Sequence, residues 1–326
     1  MANAYQWYPG HMMKARREVE EDIKLIDLVI ELVDARIPLS SRNPDIDELS
    51  RGKARLILLN KADLADPAAN RAWEQYFASQ GIKAVSLDSR KSGSAKRLLP
   101  VIREVCKERI ERNLRRGIRN RPMRALICGI PNVGKSTFIN SFAGKGVAKT
   151  GNKPGVTKGK QWIRLQKDLE LLDTPGILWP RQSDPVVGER LAMIGSINDE
   201  IIEKQEMAFA ILRYLIKLAP EALAERYGMD AEHYGVEAER CGGDTVHFGG
   251  DAEQIRAEGG TGGEEGPESA EAFYSRILEK IAESRKCLKK GGAFDTDKAA
   301  AIVIDDFRKG LFGKLTLDEV PAGETR

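Results

Sequence analysis

Hydrophobic positions change their spacing several times along the chain, and each change marks an element. Residues 3–10, NAYQWYPG, are aromatic and polar by turns. From His11 to Lys24 the apolar residues Met12, Ala15, Val19 and Ile23 recur at near-helical spacing, which predicts an amphipathic helix. Five short apolar runs follow: Asp27–Val33, Ala54–Leu59, Ile82–Leu87, Arg124–Cys128 and Leu169–Leu172. Their length and polar boundaries predict buried strands. Between them Pro67–Gln80 reads as a helix stopped at Gly81, Ser94 to about Arg116 as one long helix, and Ser136–Phe142 as the start of another. Strands alternating with helices predict an α/β domain, a mostly parallel sheet with helices on both faces.

The last third has a helical period only. Asp199–Leu218 places Ile202, Ala208, Phe209, Leu212, Leu215 and Ile216 on one broad face. Pro267–Cys287 carries Phe273, Ile277 and Ile281, with Gly291 and Gly292 as a stop. Asp295–Lys309 has Asp295 or Thr296 as N-cap and Gly310 at its end. These stripes predict a small all-helical domain. The boundary is expected at 190, giving an α/β domain over 1–190, with its N-terminal helical segment 1–24, and a helical domain over 191–326. Residues 241–268 contain nine glycines among scattered acids, which predicts a loosely ordered insertion. Cys241 and His247 within it are too few to hold a metal.

Length and composition agree with two domains: 326 residues, 41% hydrophobic. The formal charge of +3 hides a segregation. Residues 221–271 hold 14 acidic and three basic side chains, leaving 49 basic against 35 acidic elsewhere. A basic body with one acidic segment suits a nucleic-acid or ribosomal partner, or an ordinary solvated surface. Arg103–Arg124, with nine basic and three acidic residues, and the cluster Arg276, Lys280, Arg285, Lys286, Lys289 and Lys290 are open to the same two readings. Cys106, Cys128, Cys241 and Cys287 show no C-x-x-C spacing, which suits reduced cytoplasmic thiols. With no apolar leader near the N-terminus and no run of about 18 apolar residues, a cytoplasmic chain without membrane contact is expected.

The chemistry concentrates in three short motifs. Gly129-Ile-Pro-Asn132-Val133-Gly134-Lys135-Ser136, followed by Thr137, fits the phosphate-loop pattern G-x-x-x-x-G-K-[ST]. Its glycines let successive backbone N–H groups turn toward the phosphates, Lys135 reaches the β/γ-phosphates, and the Ser136 hydroxyl suits Mg²⁺. Asn60-Lys61-Ala62-Asp63 ends a strand and fits N-K-x-D. Its carboxylate can accept from both N1–H and the 2-amino group of guanine, donors that adenine does not offer there. Ser86, Asp88 and Ser89, after the next strand, are placed to support the other edge of the base. Asp173-Thr-Pro-Gly176 ends a third strand, 38 residues beyond Lys135. Asp173 would hold Mg²⁺ through water, and the Gly176 N–H would meet the γ-phosphate. Thr157, in the basic stretch Lys145–Arg164, could close on the metal and γ-phosphate as a switch loop does. GTP or GDP with Mg²⁺ is the ligand these motifs predict. Their order is unusual. The guanine motif comes about 70 residues before the phosphate loop instead of after it, so the chain reads as a circularly permuted GTPase, a rearrangement that neighbouring surface termini permit.

On these residues the chain resembles the bacterial ribosome biogenesis GTPase A family of circularly permuted GTPases. The matching segments are QWYPGHMMKARRE at 6–18, LVDARIPLSSRNP at 32–44, LLNKAD at 58–63, GIPNVGKST at 129–137, KTGNKPGVT at 149–157 and LLDTPGILWP at 171–180. APEALAERYG at 219–228 and GKLTLDE at 313–319 also match, while the Gly-rich insertion departs from the family. The resemblance implies GTP hydrolysis coupled to late assembly of the large ribosomal subunit, contact with a subunit precursor and its rRNA, and a helical second domain. A monomer is expected. Ile177 stands where many GTPases carry a water-orienting Gln, so another group must act. Lys135 of the phosphate loop is one catalytic candidate, and the resemblance offers His11 as another. Asn132 is the residue through which such phosphate loops can hold K⁺. Two other functions compete: a nucleotide-gated RNA-binding scaffold with negligible hydrolysis, and an ATP-using phosphotransferase, which the N-K-A-D motif disfavours.

Overall fold

A computed structural model describes residues 20–91, 93–119, 121–144, 161–166, 169–173, 184–199, 202–229 and 269–321. The chain divides into two compact units. One is built on a sheet and takes in the described residues from 20 to 173 together with 316–321. The other is helical and runs from 184 to 315.

The sheet unit contains β1 (Leu28–Asp34), β2 (Ala54–Asn60), β3 (Lys83–Ser86), β4 (Met123–Cys128), β5 (Gln161–Gln166) and β6 (Leu169–Asp173). They lie in the order β3-β2-β1-β4-β6-β5, all parallel except β5, which runs antiparallel to β6. β1 is central and every residue in it is buried. Val29 packs with Ile46, while Val33, Ile57 and Leu59 pack with Trp73 and Phe77. Leu28, Ile30 and Leu32 point to the opposite face and are equally buried. A strand covered on both faces reads as a near-continuous apolar run, which is why the sequence revealed it. Here the run is interrupted by Glu31, whose buried carboxylate accepts from Arg42 and the Asn43 N–H.

Helices α1 (Asp45–Leu49), α2 (Pro67–Ser79), α3 (Ser94–Val105), α4 (Lys107–Arg115) and α5 (Lys135–Ala143) complete this unit. Asp66 caps α2 by accepting from the N–H groups of Ala68 and Ala69. The long helix expected over 94–116 is two helices. Cys106, fully buried, leaves helical geometry at φ −91°, ψ 3° and separates α3 from α4. The edge strand β5 was not foreseen. Its exposed Trp162, buried Ile163 and exposed Arg164 alternate too briefly to register within a basic stretch. Most of the N-terminal stretch expected as an amphipathic helix lies outside the described residues, which begin with helical residues 20–22 and a 3₁₀ turn at Ile23–Leu25.

The helical unit contains α6 (Pro185–Met193), α7 (Lys204–Leu218), α8 (Pro220–Tyr227), α9 (Ala270–Ser284) and α10 (Thr296–Lys309). The three expected apolar stripes are buried in α7, α9 and α10, though Phe209 and Ile216 are only half-buried. Asp295 caps α10 and left-handed Gly310 ends it. The division differs from the boundary expected at 190 in two ways. Helix α6 belongs to the helical unit, where it packs against α7 and α10. The final residues 316–321 return to the sheet unit. Residues 241–268 lie outside the described residues.

Candidate guanine-nucleotide site

Three motif-bearing segments leave the carboxyl ends of parallel strands. β2 ends in Asn60, β4 runs into the phosphate loop, and β6 ends in Asp173. The chain builds outward from β1 to β2 and β3 on one side, then returns to β4 on the other. Such a switch point opens a crevice at the carboxyl ends of the strands, where open α/β sheets bind ligands. A separate recess of about 360 Å³, lined by Ile102, Cys106, Leu114, Met123 and Leu169 among others, opens beside the amino-terminal residues of β4 and β6 and includes none of the motif residues.

The phosphate loop is fixed by its glycines and its apolar side chains. Gly129 sits at φ +148°, and a Cβ there would meet the Leu32 carbonyl oxygen at 2.4 Å. Gly134 sits at φ +100°, and a Cβ would meet Asn60 Nδ2 at 2.4 Å. Ile130 and Val133 are fully buried and anchor the loop in the core. Asn132 adopts φ 59°, the left-handed region that Asn tolerates better than most residues. Helix α5 starts at Lys135, with half-buried Ser136 and Thr137 in its first turn, so its N-terminus faces the loop. The Lys135 ammonium is buried and donates to the carbonyls of Gly129 (2.9 Å) and Ile130 (3.0 Å).

Asn60 joins the loops. Its Nδ2 donates to the Val133 carbonyl at 2.7 Å, and its Oδ1 accepts from Ser89 N–H at 3.0 Å and Ser89 Oγ at 2.6 Å. One buried amide thus ties the guanine motif to the phosphate loop and to the supporting loop. The Ala62 N–H adds a bond to the Leu87 carbonyl. Of the supporting residues, Ser89 makes the link. The Ser86 hydroxyl is buried without a hydrogen-bond partner, and Asp88 turns to Arg90.

Lys61 is also left-handed, at φ 57°, and its ammonium lies 2.9 Å from Asp34 at the end of β1. Arg36 grips the same carboxylate through Nε and Nη2 at 2.9 and 2.8 Å. Burial alone would raise the Asp34 carboxyl, but Arg36 and Lys61 more than offset it and hold it well below the usual range. Asp63 accepts from Arg90 Nη2 at 2.5 Å through Oδ2, while its buried Oδ1 has no hydrogen-bond partner. A buried carboxylate oxygen without a donor costs free energy until a ligand supplies one. Guanine, with two adjacent N–H donors, meets that need.

Asn60 thus brings Ser89, Val133 and Gly134 together, with Lys135 next to Gly134, while Ala62 bonds to Leu87 and Asp63 to Arg90. Asp173 is placed by its backbone alone, paired with Ile127 of β4. His11, Thr157 and Gly176 lie outside the described residues. Sequence reasoning assigned no role to Asp34, Arg36 or Arg90. The strand-end Asp-Ala-Arg at 34–36 was a visible signal for the first two; Arg90 had none.

A family model described as a 50S ribosome-binding GTPase matches residues 124–223. Ribosome biogenesis GTPase A of Bacillus licheniformis is 44% identical over 96% of this chain and 98% of its own length. Its namesake in Thermotoga maritima is 29% identical over 96% of this chain and 93% of its own. Mitochondrial ribosome-associated GTPase 1 of Xenopus tropicalis is 34% identical over 69% of this chain and 74% of its own. Among solved structures, GDP-bound TM YlqF superposes with a TM-score of 0.57 at 25% identity, covering 93% of this chain and 99% of that one. GNP-bound YlqF from T. maritima gives 0.54 at 25% identity, covering 94% and 99%. With the permuted motifs at one end of the sheet and the Bacillus licheniformis relative matched at 44% identity along nearly its whole length, the chain belongs to the ribosome biogenesis GTPase A family of GTP-binding proteins.

Proposed function

We propose that the chain binds GTP, hydrolyses it to GDP and phosphate, and acts in late maturation of the large ribosomal subunit through contact with rRNA. The observation that carries the nucleotide reading is Asn60, which locks three loops into one frame beside a carboxylate with an unpaired, buried oxygen. The ribosomal reading is supported by the relatives' names, which speak of ribosome biogenesis and 50S binding, and by the chain's basic body.

In this reading Lys135 exchanges two loop carbonyls for phosphate oxygens, and the first N–H groups of α5 cradle the same charge. Ser136, Thr157 and Asp173, the last through water, are the residues that would hold Mg²⁺, and the ion would neutralise phosphate charge. Asn132, at the turn of the loop, is the residue to hold K⁺. Ile177 orients no water, so His11 takes that role once a precursor particle docks.

Single-turnover GTP hydrolysis with and without large-subunit precursor particles tests this. Particles should raise turnover on the order of a hundredfold. His11→Ala should bind particles and lose most of that gain. K⁺ should outpace Na⁺ in the parent but not in Asn132→Ala. Turnover that particles leave unchanged would reduce the chain to a nucleotide-gated scaffold.

A further inference from the structure

We propose that Arg90 is a built-in competitor for the base: its guanidinium occupies the Asp63 carboxylate at the position that guanine's N–H edge must take, so that nucleotide entry requires its displacement. The inference rests on the guanine-site reading above and deepens it.

The geometry is specific. Arg90 Nη2 donates to Asp63 Oδ2 at 2.5 Å. The arginine is held in that pose by Asp88, which accepts from its backbone N–H at 2.9 Å, from Nε at 3.0 Å and from Nη2 at 3.3 Å. Asp63 Oδ1 is left buried and unpaired. The guanidinium therefore satisfies one carboxylate oxygen and leaves the other for a second donor. Guanine presents N1–H and the 2-amino group as a planar fork joined through one carbon, which is also the layout of a guanidinium. Both ligands compete for the same carboxylate, the guanidinium through Nη2 on Oδ2 alone and the base through two donors that can reach both oxygens. Lys61, the cation within the motif itself, is engaged with Asp34 and does not compete.

The arginine is built to leave. Its side chain is 66% exposed against 22% for Asp63, and an ion pair with one solvated partner is weak. Displacement thus acts as a modest tax on affinity, in which the apparent dissociation constant is the intrinsic one divided by the fraction of molecules with the carboxylate uncovered. The same device gives selectivity, since a base without the N–H fork has nothing to exchange for Arg90.

Arg90→Ala should tighten GDP and GTP binding by about two- to fivefold, with the gain in the association rate, measured by stopped-flow fluorescence with a labelled guanine nucleotide. Arg90→Lys, which keeps the charge and loses the fork, should fall between. In an Asp63→Ala background, Arg90→Ala should change nothing further, a coupling that a purely structural residue would not show. Thermal melting of the nucleotide-free variants checks that they fold. Weakened or unchanged GDP binding in folded Arg90→Ala would overturn the proposal. Failure of the unmodified chain to prefer GDP over ADP would overturn the guanine reading itself, and it is read without any variant.

Discussion

Two residues show how tightly the site is specified. At Gly134 the left-handed backbone and the nearby Asn60 amide exclude any side chain. Gly134→Ala must either strain the loop, by about 1–3 kcal/mol, or push Asn60 off Val133 and Ser89. Equilibrium titration with a fluorescent GDP should therefore show affinity lower by at least about tenfold; parental affinity would contradict the observed approach. Asp34 carries a different signature. Its carboxyl is held low by Arg36 and Lys61 in spite of burial. A depressed carboxyl stabilises the fold above its unfolded pKa of about 3.9, and that contribution is lost as pH falls through the lower folded value. Stability of the parent should thus fall steeply below about pH 4. Asp34→Asn should begin about 3 kcal/mol lower at neutral pH, because two cations lose their partner, and should show a shallower acid limb. Denaturant midpoints across a pH series decide it; parallel profiles would count against the network.

At the scale of elements, the C-terminal strap at 316–321 matters beyond its length. Asp318 is buried and accepts from the N–H groups of Leu39 and Ser40, both at 2.7 Å, and from Ser40 Oγ at 2.6 Å. The Leu317 N–H reaches the Arg36 carbonyl at 2.7 Å, and the Asp66 N–H reaches Thr316 Oγ1 at 3.2 Å. Val320 packs against the Trp73–Phe77 cluster. The strap therefore clamps the loops that follow β1 and β2, the same two strands that deliver Asp34 and Asn60. Asp318→Ala removes three hydrogen bonds to a charged acceptor and should lower the stability of the sheet unit by about 2–3 kcal/mol. Urea unfolding followed by tryptophan fluorescence, to which Trp73 buried in this unit contributes, would show it. A midpoint equal to the parent's would mean that the clamp contributes nothing.

At the scale of the molecule, nucleotide binding and folding of the sheet unit are linked. GDP at a hundred times its dissociation constant should add about 2.7 kcal/mol to stability, visible as a rise in melting temperature. Asp63→Asn replaces a pure acceptor with a group that also donates. It should transfer that protection from GDP to the xanthine analogue, whose base offers a carbonyl where guanine has its amino group. A variant still protected by GDP and not by the xanthine nucleotide would remove Asp63 from base recognition. Among the described residues no helix is long and apolar enough to cross a membrane.

What the sequence determined by itself was local. The phosphate loop, N-K-A-D and D-T-P-G are each contiguous and each begins at one strand end, so a few adjacent residue types suffice to announce them. Their inverted order along the chain gave the permutation. Near-continuous apolar runs exposed the buried parallel strands, whereas β5, with only one face covered and six residues in length, left too short a pattern. The helical stripes announced α7, α9 and α10, but α6 and α8, nine and eight residues long, passed unnoticed. The tertiary structure alone decided which side chains meet. Asn60 and Val133 are 73 residues apart, Asp63 and Arg90 are 27 apart, and Ser40 and Asp318 are 278 apart. Hydrogen bonds between groups so distant leave no period and no spacing in a single sequence. They exist because the sheet brings several strand ends to one edge, and that edge is where the loops must satisfy one another's polar groups.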